Sequence, residues 1–227
     1  MSHYVYLLLI LFTLSYPLYK SFENKIQYYK KWKFLFPGIL FSACFFIAWD
    51  VWFTHIGVWR FNSDFVMGFN IINLPIEEWL FFIVVPFSCV FIYEVLNYFV
   101  KKDLLSTQSK FITIALVIIL LIISILYHDR LYTFTTCLFL IVTLLIHLFV
   151  IKSAYLGRFY LAWLVCLIPF FIVNEVLTAM PVLIYADEQN LGIRLFTIPL
   201  EDVFYGMLNI LQVITVYEWL KSRELAN

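Results

Sequence analysis

Seven long apolar stretches divide the sequence, and each is close to the length that a helix needs to cross a membrane. A spanning α-helix takes about 20 mostly apolar residues. Hydrophobic residues are 64% of this chain and charged residues 13%, whereas a soluble domain is about half apolar and about a quarter charged. The runs are continuous rather than alternating, which argues against membrane-spanning strands. We therefore predict an all-α, polytopic membrane protein with seven spans, over residues 3–19, 34–54, 74–99, 111–126, 132–151, 159–180 and 198–220.

The basic residues fall mainly on one side of this arrangement. Of the 15 Lys and Arg residues, 12 lie in the segments 20–33, 100–110, 151–158 and 221–227. The other three links hold one each, namely Arg60, Arg130 and Arg194. Because loops rich in Lys and Arg stay in the cytoplasm, we predict an integral protein of the cell membrane with its N-terminus outside and its C-terminus cytoplasmic.

Two acidic motifs recur at a fixed spacing. A Pro-x-Glu-Glu motif begins at Pro75, and a Pro-x-Glu-Asp motif begins 124 residues later at Pro199. We predict two related three-helix units, residues 1–100 and 132–227, joined by a connector helix within residues 101–131. A single connector helix gives both units the same direction in the membrane, as in parallel repeats. Both motifs should then lie at the same depth, near the outer face.

The four carboxylates of these motifs are the first candidates for chemistry: Glu77, Glu78, Glu201 and Asp202. Carboxylates inside a membrane are costly and usually functional, so we predict that they form a catalytic acid–base set. Adjacent residues on a helix point about 100° apart, and glutamate occupies the first acidic position of both motifs. We therefore expect Glu77 and Glu201 to face a pocket shared by the two halves.

A structural role for the same carboxylates is the alternative. Negative charge is favourable at a helix N-terminus, and proline is tolerated there. Asn73 and Thr197 precede the two motifs at matching positions, and their side chains are candidates to cap the helices. Under this interpretation the acids stabilise helix ends and perform no reaction.

A second polar pair lies near the ends of the preceding spans. Asp50 and Asn174 are also 124 residues apart, and only Asp50 can ionise. This difference suggests a division of labour, with drift as the alternative. We predict that Asp50 belongs to the catalytic set and that Asn174 contacts the substrate.

Aromatic residues are unusually frequent, at 21% of the chain. Part of this excess is the belt of aromatic residues expected at the two membrane interfaces. The remainder lies within the spans, where ring faces can stabilise a cation in a dry site, although simple packing is the alternative. The predicted substrate contacts are Trp49, Phe81, Phe82, Phe204 and Tyr205.

A third repeated pair closes each half. Tyr93-Glu94 and Tyr217-Glu218 again differ by 124 residues. Glu94 and Glu218 follow Glu77 and Glu201 by 17 residues, which is about 25 Å along a helix. They should therefore lie near the cytoplasmic end, as anchors at the membrane interface.

Metal, nucleotide and nucleic-acid chemistry find no support in the sequence. The four histidines and four cysteines are scattered, without an HxxH, HExxH or CxxC arrangement, so a metal centre is not expected. There is no GxGxxG segment, and the net charge is zero. We predict no metal, no cofactor and no nucleic-acid partner.

The doubled acidic motif, followed in each copy by aromatic residues and a terminal Tyr-Glu, resembles the membrane lycopene cyclase family in its fused form. The resemblance extends over both halves of the chain. It implies a linear C40 carotene as substrate and membrane lipid as surroundings. The implied reaction is the redox-neutral cyclisation of the ψ ends of lycopene to β-ionone rings. The resemblance also implies that Glu77, Glu78, Glu201 and Asp202 carry this chemistry.

Two other functions fit part of the pattern. A small solute transporter can also consist of two parallel three-helix units and a connector, but here the acids lie near one face and few glycines or prolines break the spans. A carotenoid hydratase shares the protonation step and lets water capture the cation. A retinal protein is excluded, because residues 198–220 contain no lysine for a Schiff base.

Overall fold

The computed structural model describes residues 2–226, and seven α-helices dominate them. Six of these helices, α2 to α7, are long and apolar enough to cross a membrane, whereas α1 is apolar but only 16 residues long. The prediction of an all-α, polytopic membrane fold is confirmed. The helices are α1 Val5–Lys20, α2 Trp32–Ile56, α3 Ile76–Phe99, α4 Ser109–Leu126, α5 Leu131–Leu145, α6 Leu156–Ala179 and α7 Leu200–Ala226. A π-helical turn, Ile146–Ile151, continues α5.

Six short strands in the links were not predicted, because strands of two or three residues are too short to show an alternating pattern. They form three antiparallel pairs, β1 with β4, β2 with β3 and β5 with β6. The strands are β1 Trp59–Phe61, β2 Asn70–Ile71, β3 Leu74–Pro75, β4 Leu183–Tyr185, β5 Arg194–Leu195 and β6 Ile198–Pro199.

Corresponding contacts recur in the two halves. Helix α1 packs against α3 as α5 packs against α7, and α2 packs against α7 as α6 packs against α3. At the centre of the β1–β4 pair, Arg60 lies opposite Ile184, its equivalent 124 residues later. Helices α3 and α7 therefore begin at the same end of the bundle. We call this end, which holds Glu78 and Asp202, the acidic end.

Two tight hairpins start the helices that carry the acidic motifs. In each hairpin one turn residue has a positive φ, 61° at Ile72 and 57° at Phe196. This conformation is uncommon for a bulky side chain, and it recurs here at equivalent positions. Pro75 follows in an extended conformation, directly before the first residue of α3. Proline suits this place because its missing N–H has no partner to lose.

A buried polar cluster joins the halves at the opposite end. The Tyr93 hydroxyl donates to Glu218 over 3.1 Å, and the Tyr217 hydroxyl donates to Glu94 over 2.7 Å, so each half binds the equivalent carboxylate of the other. Lys221 also pairs with Glu94, whose side chain is only 2% exposed. The expectation of an interfacial anchor is therefore wrong for Glu94, because it is buried against Tyr217 and Lys221 of the other half and Lys31 of its own half instead of facing the membrane surface.

Candidate active site

A cavity of about 390 Å³ lies between the helices near the acidic end. Three carboxyl groups line it, and each is buried: Asp50 from α2, Glu78 from α3 and Asp202 from α7. The two halves of the chain therefore contribute to one chamber. Most of its remaining lining is apolar or aromatic.

Glu78 and Asp50 form a carboxyl pair on one wall of the cavity. The Tyr6 hydroxyl donates to Glu78 over 2.6 Å, and the Tyr205 hydroxyl donates to Asp50 over 2.5 Å. The two carboxyl groups are also close enough to share a hydrogen bond with each other. Such a bond needs a donor, and an ionised carboxylate only accepts. The geometry therefore suits a pair that holds one proton between its members.

Asp202 has different surroundings. Its two oxygens accept separate hydrogen bonds, from the Tyr132 hydroxyl over 2.6 Å and from the Tyr185 hydroxyl over 2.7 Å. Tyr185 belongs to β4, outside the membrane-spanning helices; burial, followed by the Asp202 charge, holds its pKa well above the ordinary value. The phenol therefore stays protonated and donates. Two phenol donors therefore hold the Asp202 carboxyl group in a fixed orientation at the cavity wall.

Aromatic rings surround these acids. The Tyr205 ring lies 4.8 Å from Phe46 and 5.2 Å from Trp49, measured between ring centres. On the Asp202 side, the Trp59 ring lies 5.2 Å from Tyr132. Ring faces carry partial negative charge and attract cations most strongly where water is absent. The chamber thus combines proton carriers with walls that can stabilise a carbocation.

Glu77 and Glu201 do not line this cavity. One oxygen of each accepts a backbone N–H over 2.7 Å, from Met67 for Glu77 and from Leu191 for Glu201. The expectation that these two glutamates face the shared pocket is wrong. The loop before each hairpin folds back and donates a backbone N–H to the first glutamate of the motif. Because adjacent residues on a helix point about 100° apart, the second acid of each motif then faces the cavity. The other oxygen of each glutamate is buried with no hydrogen-bond partner among the described residues.

The capping prediction is also wrong. The Asn73 side chain donates to the Val51 carbonyl oxygen over 2.9 Å, and the Thr197 hydroxyl lies 2.5 Å from the Thr178 hydroxyl. Neither side chain caps the helix that follows, because each ties its hairpin to the end of the preceding helix. All four acids of the motifs do lie in the first turns of α3 and α7, where negative charge is favourable, but only Glu78 and Asp202 line the cavity.

The predicted substrate contacts divide into two groups. Asn174, Phe81 and Tyr205 line the cavity. Trp49, Phe82 and Phe204 do not line it but pack in the hydrophobic core around it. Packing, the alternative given to the aromatic residues, accounts for this second group.

Sequence reasoning missed several polar and aromatic residues of the chamber. Tyr6 and Tyr132 occupy equivalent places near the starts of α1 and α5, and each donates to the second acid of its own motif. They are 126 residues apart, so a search at the constant offset of 124 did not pair them. Trp59 and Tyr185 reach the cavity through the β1–β4 pair, which has no local sequence signal.

No metal site is evident in the part of the chain that the structure describes. Among these residues, no group of three or more His, Cys, Asp or Glu side chains could hold a metal ion.

Comparison with known proteins gives one match. A family model described as Lycopene cyclase matches residues 3–96 and 129–220, which together make up most of the chain. Searches of curated proteins and of solved structures found no match. The two matched segments each contain one acidic motif.

Proposed function

The chain belongs to the lycopene cyclase family, and we propose that it converts the linear ψ ends of lycopene to β-ionone rings without redox change. The observation that carries this proposal is the meeting of three buried carboxyl groups, Asp50, Glu78 and Asp202, in one apolar and aromatic chamber. Cyclisation of this kind needs a proton donor, a proton acceptor and a dry space between them.

The Glu78–Asp50 pair acts as the acid. It delivers its shared proton to the terminal carbon–carbon double bond of the carotene, and that bond becomes a carbocation. Tyr6 and Tyr205 keep hydrogen bonds to the two carboxyl groups and stabilise the negative charge left behind. Charge-assisted hydrogen bonds of this type are the strong ones in proteins.

The new carbocation is attacked by a neighbouring double bond of the same molecule, which closes the ring and moves the positive charge onto it. Asp202 then removes a proton from the ring and restores a double bond. One proton enters and one leaves, so that the product is an isomer of the substrate and no redox partner is required. The rings of Trp59, Tyr132 and Tyr205 stabilise the positive charge while it exists.

In this proposal Glu77 and Glu201 are positioning residues. Each holds the loop before its hairpin through a backbone N–H, and so fixes the first turn of the helix that presents the cavity-facing acid. Asn174 occupies the place equivalent to Asp50 and lines the cavity without a charge. The proton-holding pair therefore exists in one half only.

We further propose that residues 1–100 and 132–227 are duplicated units joined by residues 101–131, and that the protein lies in the cell membrane with its acidic end outside. The distribution of basic residues, 12 of 15 on the opposite side, supports this orientation. A reporter fused after Asn227 should be active only if it is a cytoplasmic reporter. Activity of an external reporter at that position would reverse the orientation.

Expression in a lycopene-accumulating cell, followed by analysis of the pigments, tests the proposed reaction. Carotenes with one and then two β rings are expected at the expense of lycopene. A hydroxylated product would instead assign the chain to hydration, in which water captures the same cation. Unchanged lycopene, with the protein present in the membrane, would contradict the proposal.

A further inference from the structure

The cavity does not end at the carboxyl groups but continues to the lipid-facing surface between α1 and α6. Its lining passes from Glu78 along Thr13 to three exposed side chains. Phe12 is 69% exposed, Tyr16 63% and Ile172 59%. The chamber is thus open sideways, toward the hydrocarbon of the membrane.

Helices α1 and α6 meet near the acidic end. There Tyr6 and Ile10 of α1 pack in one buried cluster with Val173 and Leu177 of α6. Tyr6, Val173 and Leu177 of this cluster also line the cavity, and the lining continues along both helices away from the acidic end. The exposed side chains Phe12, Tyr16 and Ile172 lie on two apolar helices of the bundle, so that the opening faces lipid.

The equivalent place in the other half, between α5 and α2, is filled. Since Tyr6 and Tyr132 are equivalent and 126 residues apart, the residue equivalent to Thr13 is Phe139. The Phe139 ring centre lies 5.0 Å from that of Trp49 and 5.1 Å from that of Phe45. Where the open side has the small side chain of Thr13, the filled side has the ring of Phe139, which packs against two further aromatic rings. Trp49 in turn is equivalent to Val173 on the open side.

We infer that the opening between α1 and α6 admits the carotene from the membrane, and that its apolar walls hold the rest of the polyene while one end reacts. This inference rests on the proposed function. Its chemical basis is the continuity of the groove with the carboxyl chamber and its exposure to the phase in which a carotene dissolves. Because the equivalent side is filled, only one end of the substrate can occupy the chamber at a time. The second ring requires release of the molecule and its return in the opposite direction.

Two substitutions are designed to fill the opening between α1 and α6 with the side chains found at the equivalent positions of the filled side. Thr13→Phe introduces the equivalent of Phe139, and Val173→Trp introduces the equivalent of Trp49. Each is placed separately in a Glu78→Gln background, which keeps the size of the side chain but cannot deliver the proton. Val142→Phe, a similar enlargement on the lipid-facing side of α5, where Val142 is 45% exposed, is the matched control.

The measurement is the amount of lycopene that remains with each protein after purification from lycopene-accumulating cells, per amount of protein. The Glu78→Gln parent and the Val142→Phe control should retain pigment, whereas Thr13→Phe and Val173→Trp should lose most of it. In the active background, the same two substitutions should reduce ring formation and the control should not.

Retention of pigment by both filled variants at the parent's level would overturn the inference, and so would a parent that retains none. Loss of bound phospholipid from the filled variants, with lycopene retention and cyclisation unchanged, would assign the groove to a lipid chain and also overturn it. Failure of the proposed reaction gives a different result. In that case the unsubstituted chain leaves lycopene linear, while pigment retention still reports whether the groove binds a polyene.

Discussion

Replacing Glu78 by glutamine is expected to abolish ring formation, with a loss of about 10²–10⁴-fold, the usual contribution of a general acid or base. Glutamine has nearly the same shape and can still accept the hydrogen bond from Tyr6, but it cannot hold or deliver the proton. The measurement is the rate of appearance of cyclic carotene per amount of protein in the membrane.

Glu188→Gln is the matched control for this substitution. Glu188 is exposed and lies in a link at the acidic end, so its replacement should leave the rate unchanged. If Glu78→Gln formed rings at the rate of this control, Glu78 would not be the proton donor. It would then be only a carboxylate that stabilises the first turn of its helix, and the proposed mechanism would be contradicted.

Replacing Asp202 by asparagine is expected to cause a similar loss, of about 10²–10⁴-fold, for a different reason. The Glu78–Asp50 pair remains and can still protonate the substrate, but no carboxylate stands between Tyr132 and Tyr185 to take the final proton. The cation then loses a proton to the pair, either the one just delivered or a hydrogen already bound to a carbon next to the positive charge, and the linear carotene forms again. In D₂O, the linear lycopene recovered from this variant should therefore acquire deuterium, whereas lycopene recovered from Glu78→Gln should not.

Asp129→Asn provides the control, because Asp129 is exposed in the link between α4 and α5. Deuterium in lycopene from Glu78→Gln, combined with none from Asp202→Asn, would exchange the two roles and make Asp202 the acid. This comparison thus separates the acid from the base, which a simple loss of activity does not.

Most of the fold could be predicted because it follows from a strong and simple signal. Continuous apolar runs of the right length predicted each helix, and the odd connector predicted that α3 and α7 start at the same end. The shortness of α1 did not hide it, because its apolar character is uniform. The hairpins before α3 and α7 escaped prediction, because their strands have only two residues each.

The site was predictable only in part. The motifs identified Glu78 and Asp202, but helical geometry fixes only the angle of about 100° between neighbours and not which neighbour faces inward. That choice depends on the backbone N–H groups of Met67 and Leu191, which the hairpins fold back onto Glu77 and Glu201. No sequence pattern near the motifs predicts these hydrogen bonds from the loop backbone to the glutamates.

The phenols around the acids are distant in sequence. Tyr6 reaches Glu78 across 72 residues, and Tyr132 reaches Asp202 across 70. Tyr205 reaches Asp50 across 155. Such partners are set by the packing of whole helices, and each tyrosine by itself looks like one more aromatic residue of a membrane protein. The difference between the open and the filled side also depends on side-chain size in three dimensions.

The central claim is that each ring begins with a proton drawn from the exchangeable Glu78–Asp50 pair, and its most direct test is cyclisation by the unsubstituted protein in D₂O. The proton that enters stays on the ring, since a different one leaves to Asp202. Mass analysis of the carotenes should therefore find one solvent deuterium for every ring formed. Rings formed in D₂O without deuterium would contradict the account, because their first proton would not have come from a carboxyl group in exchange with water.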